Sequence, residues 1–181
     1  MTKAKKSKYV GSCGIYVFVA AEASGQPCLL VHRRSRQVSE PLSLCAPGGI
    51  VERPLCGADG NDFEAGAKAT ALRELLEETG IALDAEAAAS LDELPVGEGT
   101  YWGPALHKNF CIVLQRPSVD EFPAVPGPER ASLHELVKGG MDQIGHPAGD
   151  QYHAWVPVQE LLARTDLMLG CRRPLEHFAA S

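Results

Sequence analysis

Arg73-Glu74-Leu75-Leu76-Glu77-Glu78-Thr79-Gly80-Ile81 is the stretch from which the fold is predicted. If it is helical, its three glutamates stand at i, i+3 and i+4 and therefore share one face. The opposite face would pack against a core, and it consists of Leu72, Leu75 and Leu76, with Ala65 and Ala69 behind them. Because like charges at this spacing repel, we expect a divalent cation, which takes oxygen ligands, to offset the repulsion.

Length and composition predict one globular domain. The chain has 181 residues, of which 45% are hydrophobic and 22% charged, and this suits a single domain with a proper core. Its formal net charge of -6 argues against non-specific nucleic-acid or membrane binding as the main activity. No run of about 18 apolar residues is present, so no transmembrane helix is expected.

The N-terminus and the cysteines indicate the compartment. Residues 1–9 are predicted to be a basic tail and residues 10–181 a single domain. Several lysines precede the apolar run 13–21, and this pattern resembles a signal peptide. The tyrosine, phenylalanine and valines of the run favour a first strand instead. The six cysteines form no C-x-x-C pair and are interpreted as reduced, buried thiols. A cytoplasmic location is therefore expected.

Residue type and turn signals predict a series of short strands. These are residues 14–20, 28–32, 42–46, 50–52, 81–83, 105–115 and 152–158. The first two are separated by a turn with glycine and proline, so we expect them to pair as a hairpin.

One long helix is predicted to run from about Asp62 to Thr79. Asn61 and Glu64 resemble a capping box at its start, and Gly80 is placed to end it as the C′ residue. A closing helix is expected to begin at Val158.

Two stretches rich in proline and glycine, residues 53–61 and 117–149, are interpreted as insertions. The second includes a short predicted helix from Glu129 to Val137. Long ordered loops in compact domains usually serve a site, so this insertion is expected to form a lid.

Two further groups of residues have the chemistry of an anion or metal site. Arg33 and Arg34, with Arg36 behind them, follow the second strand and form either a solvated strand end or a phosphate clamp. Gly48 and Gly49 follow the third strand and would let the backbone, with its carbonyl oxygens, come close to a ligand or ion.

The glycine pair ahead of Arg-Glu-Leu-x-Glu-Glu-x-Gly-Ile resembles the signature of the Nudix hydrolases. The order of the predicted strands and helices over roughly residues 10–165 also resembles the order in that family. The resemblance implies an α/β (α+β) fold, an α/β/α sandwich with a mixed central sheet between helices. It also implies a hydrolase acting on phosphoric anhydride bonds.

The chain departs from the family pattern in one place. The pattern would put the arginine ten residues closer to the glycine than Arg73 lies to Gly49, so the motif is split by a ten-residue insertion. The family's first glutamate then falls on Ala65 or on Leu55, depending on the direction of counting. Glu64 either replaces it or only caps the helix.

The resemblance implies Mg²⁺, or alternatively Mn²⁺, bound by Glu74, Glu77, Glu78 and the carbonyl of Gly48. Arg73 would orient a glutamate, and the catalytic set is then Arg73 with the three glutamates. Candidate substrate contacts are Arg33, Arg34, Gly49 and Glu52. The general base is left open between Glu74, Glu77 and an acid from the late loop, Glu129 or Asp150.

Three functions are compatible with this reading. The first is a Mg²⁺-dependent pyrophosphohydrolase acting on a nucleoside-diphosphate-type small molecule. The second is a catalytically weak nucleotide- or partner-binding module, suggested by the missing glutamate. The third is an inositol pyrophosphate phosphohydrolase that uses the arginine cluster. The net negative charge of the chain argues against so anionic a ligand. The sequence leaves a monomer and a homodimer equally open.

Overall fold

A computed structural model describes residues 8–20, 26–34, 40, 42–96, 106–114 and 153–181. These residues form a mixed sheet of seven strands with helices packed on both faces. The predicted α/β sandwich is therefore confirmed.

The strands are β1 Tyr9–Ala20, β2 Pro27–Arg33, β3 Leu44–Cys45, β4 Gly48–Glu52, β5 Asp92–Leu94, β6 Leu106–Leu114 and β7 His153–Pro157. The sheet has the order β3-β2-β1-β6-β5, with β4 paired to β1 and β7 paired to β2. The predicted hairpin is confirmed, since β1 and β2 are antiparallel with Phe18 opposite Leu29. On its other edge β1 runs parallel to β6.

The central strand β1 changes partner along one edge. Its first half pairs with β4, ending with Gly14 opposite Gly48, and its last residues pair with β2. Between these two zones β2 diverges and pairs with β3 instead. The place beside β1 where β2 and β4 separate is called the fork. The loop from β3 to β4 crosses it, and there the amide of Ile15 donates to the carbonyl of Pro47 at 2.8 Å.

The helices are α1 Phe63–Thr79, α2 Ala85–Ala89, α3 Val158–Ala163 and α4 Leu169–Ala180, and a 3-10 turn spans Arg53–Leu55. Helix α1 ends at Gly80, which has the left-handed conformation with φ 74° and donates its amide to the carbonyl of Leu76. Glycine is favoured there because it carries no Cβ. The predicted end of the helix is confirmed.

Two apolar layers hold the sheet. On one face Ala67, Ala71 and Leu75 of α1 pack against Ile15 and Val17 of β1. On the other face, α3 and α4 pack on β1, β2 and β7 through residues that include Phe18, Leu29, Val156, Leu161 and Leu175. Helix α1 is therefore fixed to the sheet along one row of small and apolar side chains.

The buried face of α1 differs from the predicted one. Leu75 is fully buried, but Leu76 is half exposed and Ala65 and Ala69 are exposed. The row that faces the sheet is Gly66, Ala67, Thr70, Ala71, Leu75 and Thr79. Glu74 and Glu78 fall on the same side of α1 as that row, and Leu76 falls on the opposite side, because successive helical residues are about 100° apart.

Several element boundaries also differ. Residues 81–83 form no strand, and α2 and β5 follow in a stretch for which no helix or strand was predicted. Strand β3 has only two residues, and the two glycines begin β4 instead of forming the turn before it. The N-cap of α1 is Asp62, whose carboxylate accepts from the amide of Ala65, so the predicted capping box of Asn61 and Glu64 is wrong.

Some predictions fall outside the described residues. These are the insertion at 117–149 with its helix from Glu129 to Val137, and the first seven residues of the basic tail. Within the described part of the chain, no helix combines the length and hydropathy needed to span a bilayer.

Replacing Leu75 by alanine should cost about 2–5 kcal/mol of unfolding free energy, because the side chain is fully buried beneath α1. Leu76→Ala is the matched control, and it should cost only about 0.5 kcal/mol since that side chain is half exposed. Urea denaturation followed by circular dichroism measures both. Equal losses would show that α1 is rotated differently.

Candidate active site

The fork beside β1 brings the start of β4 against the last turns of α1. A Cβ on Gly49 would overlap the carboxylate of Glu74, at 2.5 Å from its Cδ. A Cβ on Gly48 would overlap the carbonyl of Cys13 and lie 3.0 Å from the Cα of Gly14. Two glycines are therefore required for this close approach of strand, strand and helix.

Glu78 is the carboxylate held most closely at the fork. Its side chain is 19% exposed, and its Oε2 accepts a hydrogen bond from the amide of Gly48 at 3.2 Å. Burial, and then the charge of Glu74, raise the pKa of Glu78 to about 8. The amide of Gly48 and the charge of Arg34 act in the opposite direction but do not cancel the rise. The ionised form of Glu78 is thus disfavoured in its surroundings, and a bound cation would stabilise it.

Arg73 holds the neighbouring carboxylate. Its Nη2 donates to Oε1 of Glu74 at 2.6 Å, and its Nε lies 3.8 Å from Oε2 of Glu77. The hydrogen bond to Glu74, followed by the charges of Glu74, Glu77 and Glu52, raises the pKa of the guanidinium. Arg73 therefore fixes the side chain of Glu74 from the solvent side.

The three glutamates of the motif are not equivalent. Glu77 is 59% exposed and lies next to Arg73, whereas Glu74 and Glu78 flank the two glycines. Within the ranges that the structure describes, no three histidine, cysteine, aspartate or glutamate side chains are gathered as a metal site. The spacing thus puts the carboxylates on neighbouring turns, but it does not by itself aim all three at one point.

The donor set nevertheless suits a hard divalent cation. Glu74 and Glu78 supply carboxylate oxygens beside the backbone of Gly48, and such oxygens are what Mg²⁺ prefers. The raised pKa of Glu78 shows that its negative charge lacks full compensation from the protein alone. These residues therefore fit the group that the sequence predicted.

The predicted arginine clamp is only partly described. Arg34 lies close enough to Glu78 and Cys45 for its charge to lower the pKa of both groups, and its Nη1 is 3.8 Å from Sδ of Met168. Arg33 ends β2, but its side chain is outside the described residues, as is Arg36. Arg34 is thus the one of these arginines whose side chain the structure describes, and it lies near the fork.

Of the four other predicted acids, the two that the structure describes, Glu52 and Glu64, do not join the fork. Glu52 ends β4 and forms a 3.1 Å ion pair with Lys8. Glu64 lies in the first turn of α1 and pairs with Lys108 at 3.3 Å. Ten helical residues, about 15 Å, separate Glu64 from Glu74. Glu129 and Asp150 lie outside the described residues.

Sequence reasoning missed His32 and Cys45. His32 ends up with Nδ1 3.8 Å from Oε2 of Glu78 and with Nε2 3.1 Å from Sγ of Cys45. The period-2 alternation of β2 placed His32 on the same face as Leu30, which packs in the layer below α1. That alternation was the one sequence signal for the position of His32. It could not show that the end of α1, with Glu78, would lie beside His32.

Cysteine burial was predicted and is confirmed, since all six thiols are buried and free. Cys13 lies beneath the fork, where its Sγ is 3.8 Å from the carbonyl of Gly49 and burial raises its pKa to about 12.

A hydrogen-bonded row of polar side chains lies on β1 and β6. Ser12 Oγ is 2.7 Å from Nδ1 of His107, and Nε2 of His107 is 2.9 Å from Oδ1 of Asn109. Burial lowers the pKa of His107, which lies between these two partners.

Trp155 is half buried against the layer below α1. Tyr101, Trp102 and Tyr152 lie outside the described residues, as does the side chain of His153.

The family model described as "NUDIX domain" matches residues 13–178 of this chain. A mutT/nudix family protein from Listeria innocua is similar in structure, with 17% identity, a TM-score of 0.53 and coverage of 97% of this chain and 95% of that one. The C. elegans Ap4A hydrolase has 16% identity, a TM-score of 0.53 and coverage of 95% and 97%. The NUDIX domain of Shewanella oneidensis NrtR, complexed with ADP ribose, has 14% identity, a TM-score of 0.51 and coverage of 97% and 90%. A comparison with curated proteins gave no match.

Glu78→Gln should stabilise the metal-free protein at pH 8 and change it little at pH 5. The pKa of Glu78 is about 8 in the folded protein against an ordinary value of 4.5, so the folded state binds more protons and stability falls as the pH rises between these values. The expected gain is at most roughly 4 kcal/mol at pH 8 and below about 1 kcal/mol at pH 5.

Urea denaturation in EDTA at both pH values measures this difference. Glu77→Gln is the control, because it removes an exposed carboxylate from the same turn of α1. A stabilisation by Glu78→Gln that is the same at both pH values would contradict the assigned burial of its charge.

Proposed function

This chain belongs to the Nudix family of hydrolases acting on phosphoric anhydride bonds, and we propose that it cleaves the diphosphate linkage of a nucleoside-diphosphate-type substrate with Mg²⁺ bound. One observation carries the proposal. Glu78 is held against the amide of Gly48 beside Glu74, in a place where its negative charge is destabilised. A protein that only needed a stable helix would gain by a neutral residue there.

The proposed ligands are Glu74, Glu78 and the carbonyl of Gly48, with Glu77 joining by a change of side-chain rotamer. Mn²⁺ would be accepted by the same oxygens. Bound there, the ion would neutralise phosphate charge and lower the pKa of a bound water.

The protein's own residues position this set. Arg73 holds Glu74 through a charge-assisted hydrogen bond, and such bonds are short and directional. Arg34, which faces Glu78, is placed to bind a phosphate oxygen of the substrate. Gly49 lets the carboxylate of Glu74 reach the strand. The proposed base is Glu74 or Glu77, or else Glu129 or Asp150 of the late loop.

The missing first glutamate favours a second candidate, a binding module that holds a nucleotide without turnover. Glu64 lies at the far end of α1 and cannot replace that glutamate at the fork. Against this candidate, Arg73, Glu74 and Glu78 keep an arrangement that nucleotide binding alone would not require.

The substrate class is tested by turnover. A panel of a dinucleoside polyphosphate, ADP-ribose, coenzyme A, an oxidised nucleotide and an inositol pyrophosphate should show metal-dependent phosphate-bond cleavage of at least one nucleotide compound. Cleavage confined to the inositol compound would overturn the proposed substrate class, and no cleavage at all would support the binding module.

Glu78→Gln should lower kcat on the best substrate by at least about 100-fold, because a neutral amide cannot compensate the cation. Glu64→Gln is the matched control on the same helix. Its kcat should stay within about threefold of the wild type, since Glu64 lies about 15 Å along α1 from Glu74 and farther from Glu78. Initial rates with saturating Mg²⁺ measure both. Undiminished turnover by Glu78→Gln would refute the assigned site.

A further inference from the structure

The imidazole of His32 lies between a thiol and the carboxylate of the proposed metal site. Its Nε2 is 3.1 Å from Sγ of Cys45, and its Nδ1 is 3.8 Å from Oε2 of Glu78. The side chain of His32 is only 13% exposed. Strand β2 brings His32 here by pairing it with Cys45 of β3, while Glu78 arrives from α1.

The tautomer of His32 depends on the direction of its hydrogen bond with Cys45. Burial raises the pKa of Cys45 well above its ordinary value, so the group remains a thiol. A guanidinium has no acceptor, and the hydrogen bond between Arg34 and Cys45 therefore uses the sulfur as acceptor. The thiol keeps its own hydrogen to donate, and Nε2 of His32, 3.1 Å away, is available to accept it.

A neutral imidazole has one donor and one acceptor. With Nε2 accepting from the thiol, the hydrogen lies on Nδ1, on the side of Glu78. The separation of 3.8 Å is too long for a hydrogen bond, but a small side-chain rotation brings a donor and a carboxylate at that distance into range.

We propose that His32 is a positioning residue, whose Nδ1–H, fixed by Cys45, holds the Glu78 carboxylate in the orientation in which it binds the cation. This role rests on the proposed function. It parallels the general finding that the partners of metal ligands orient those ligands and tune metal affinity. In this role Glu78 is held from two sides, by the present hydrogen bond from the amide of Gly48 and, after that small rotation, by the imidazole of His32.

The first test reads the tautomer in the metal-free protein. Nitrogen-15 NMR of histidine-labelled protein should show His32 with its hydrogen on Nδ1. Cys45→Ala should shift the ring toward the Nε2–H form, whereas Cys111→Ala, a buried cysteine on β6, should leave it unchanged. An Nε2–H ring in the wild type would overturn the proposal.

The second test measures Mn²⁺ affinity without substrate by calorimetry. Asparagine places its side-chain nitrogen near the position of Nδ1, and glutamine places it near Nε2. His32→Asn should therefore keep the affinity within about threefold, while His32→Gln and His32→Leu should weaken it about 10-fold or more. Wild-type affinity in His32→Leu, or equal loss in His32→Asn and His32→Leu, would refute the positioning role.

The two proposals fail separately. A wild-type protein that shows the Nδ1–H ring and binds Mn²⁺ but cleaves no diphosphate overturns the proposed function alone. A protein that cleaves a diphosphate but shows an Nε2–H ring overturns the role of His32 alone. Thermal melting of each variant establishes that it is folded before its affinity is compared.

Discussion

The structure depends on keeping one carboxylate, that of Glu78, in a place that disfavours its charge. Burial and the neighbouring Glu74 both raise its pKa, and the amide of Gly48 opposes them with a single hydrogen bond. The surroundings are arranged around this group: α1 carries it, the two glycines make room beside it, and Arg73 restrains its neighbour Glu74. Apolar packing alone would not place two carboxylates here, and this is the reason for proposing a cation as their ligand.

The sheet creates the space for this group. Because β1 pairs with β4 at one end and with β2 at the other, these two strands separate, and the short strand β3 fills only part of the gap. The end of α1 lies across the remaining opening. The helix motif alone therefore does not make the site, because Glu74 and Glu78, on the sheet-facing side of α1, also need the space that the separating strands leave.

The β1–β2 hairpin and the end of α1 could be predicted because they depend on local chemistry, such as the left-handed residue Gly80. The fold class was predicted from the resemblance to the Nudix family. The spacing of residues along a helix predicts which of them share a face, but it does not predict which face packs on the sheet. Leu76 was therefore assigned to the buried face in error. The cap was misplaced because Asn61 and Asp62 are both competent N-caps. His32 was missed because its role depends on pairing between β2 and β3, which is not encoded locally.

The split motif has a structural rationale. The inserted residues pack against the start of α1 through Cys56, whose Sγ occupies the space that a Cβ on Gly66 would need. Arg73 bonds Glu74, the next residue, and lies close to Glu77 and Glu52. The hydrogen bond between Arg73 and this adjacent carboxylate is formed without the earlier glutamate of the family pattern. The inserted residues 53–61 precede α1 and join it at its first turn, which lies about 15 Å along the helix from Glu74.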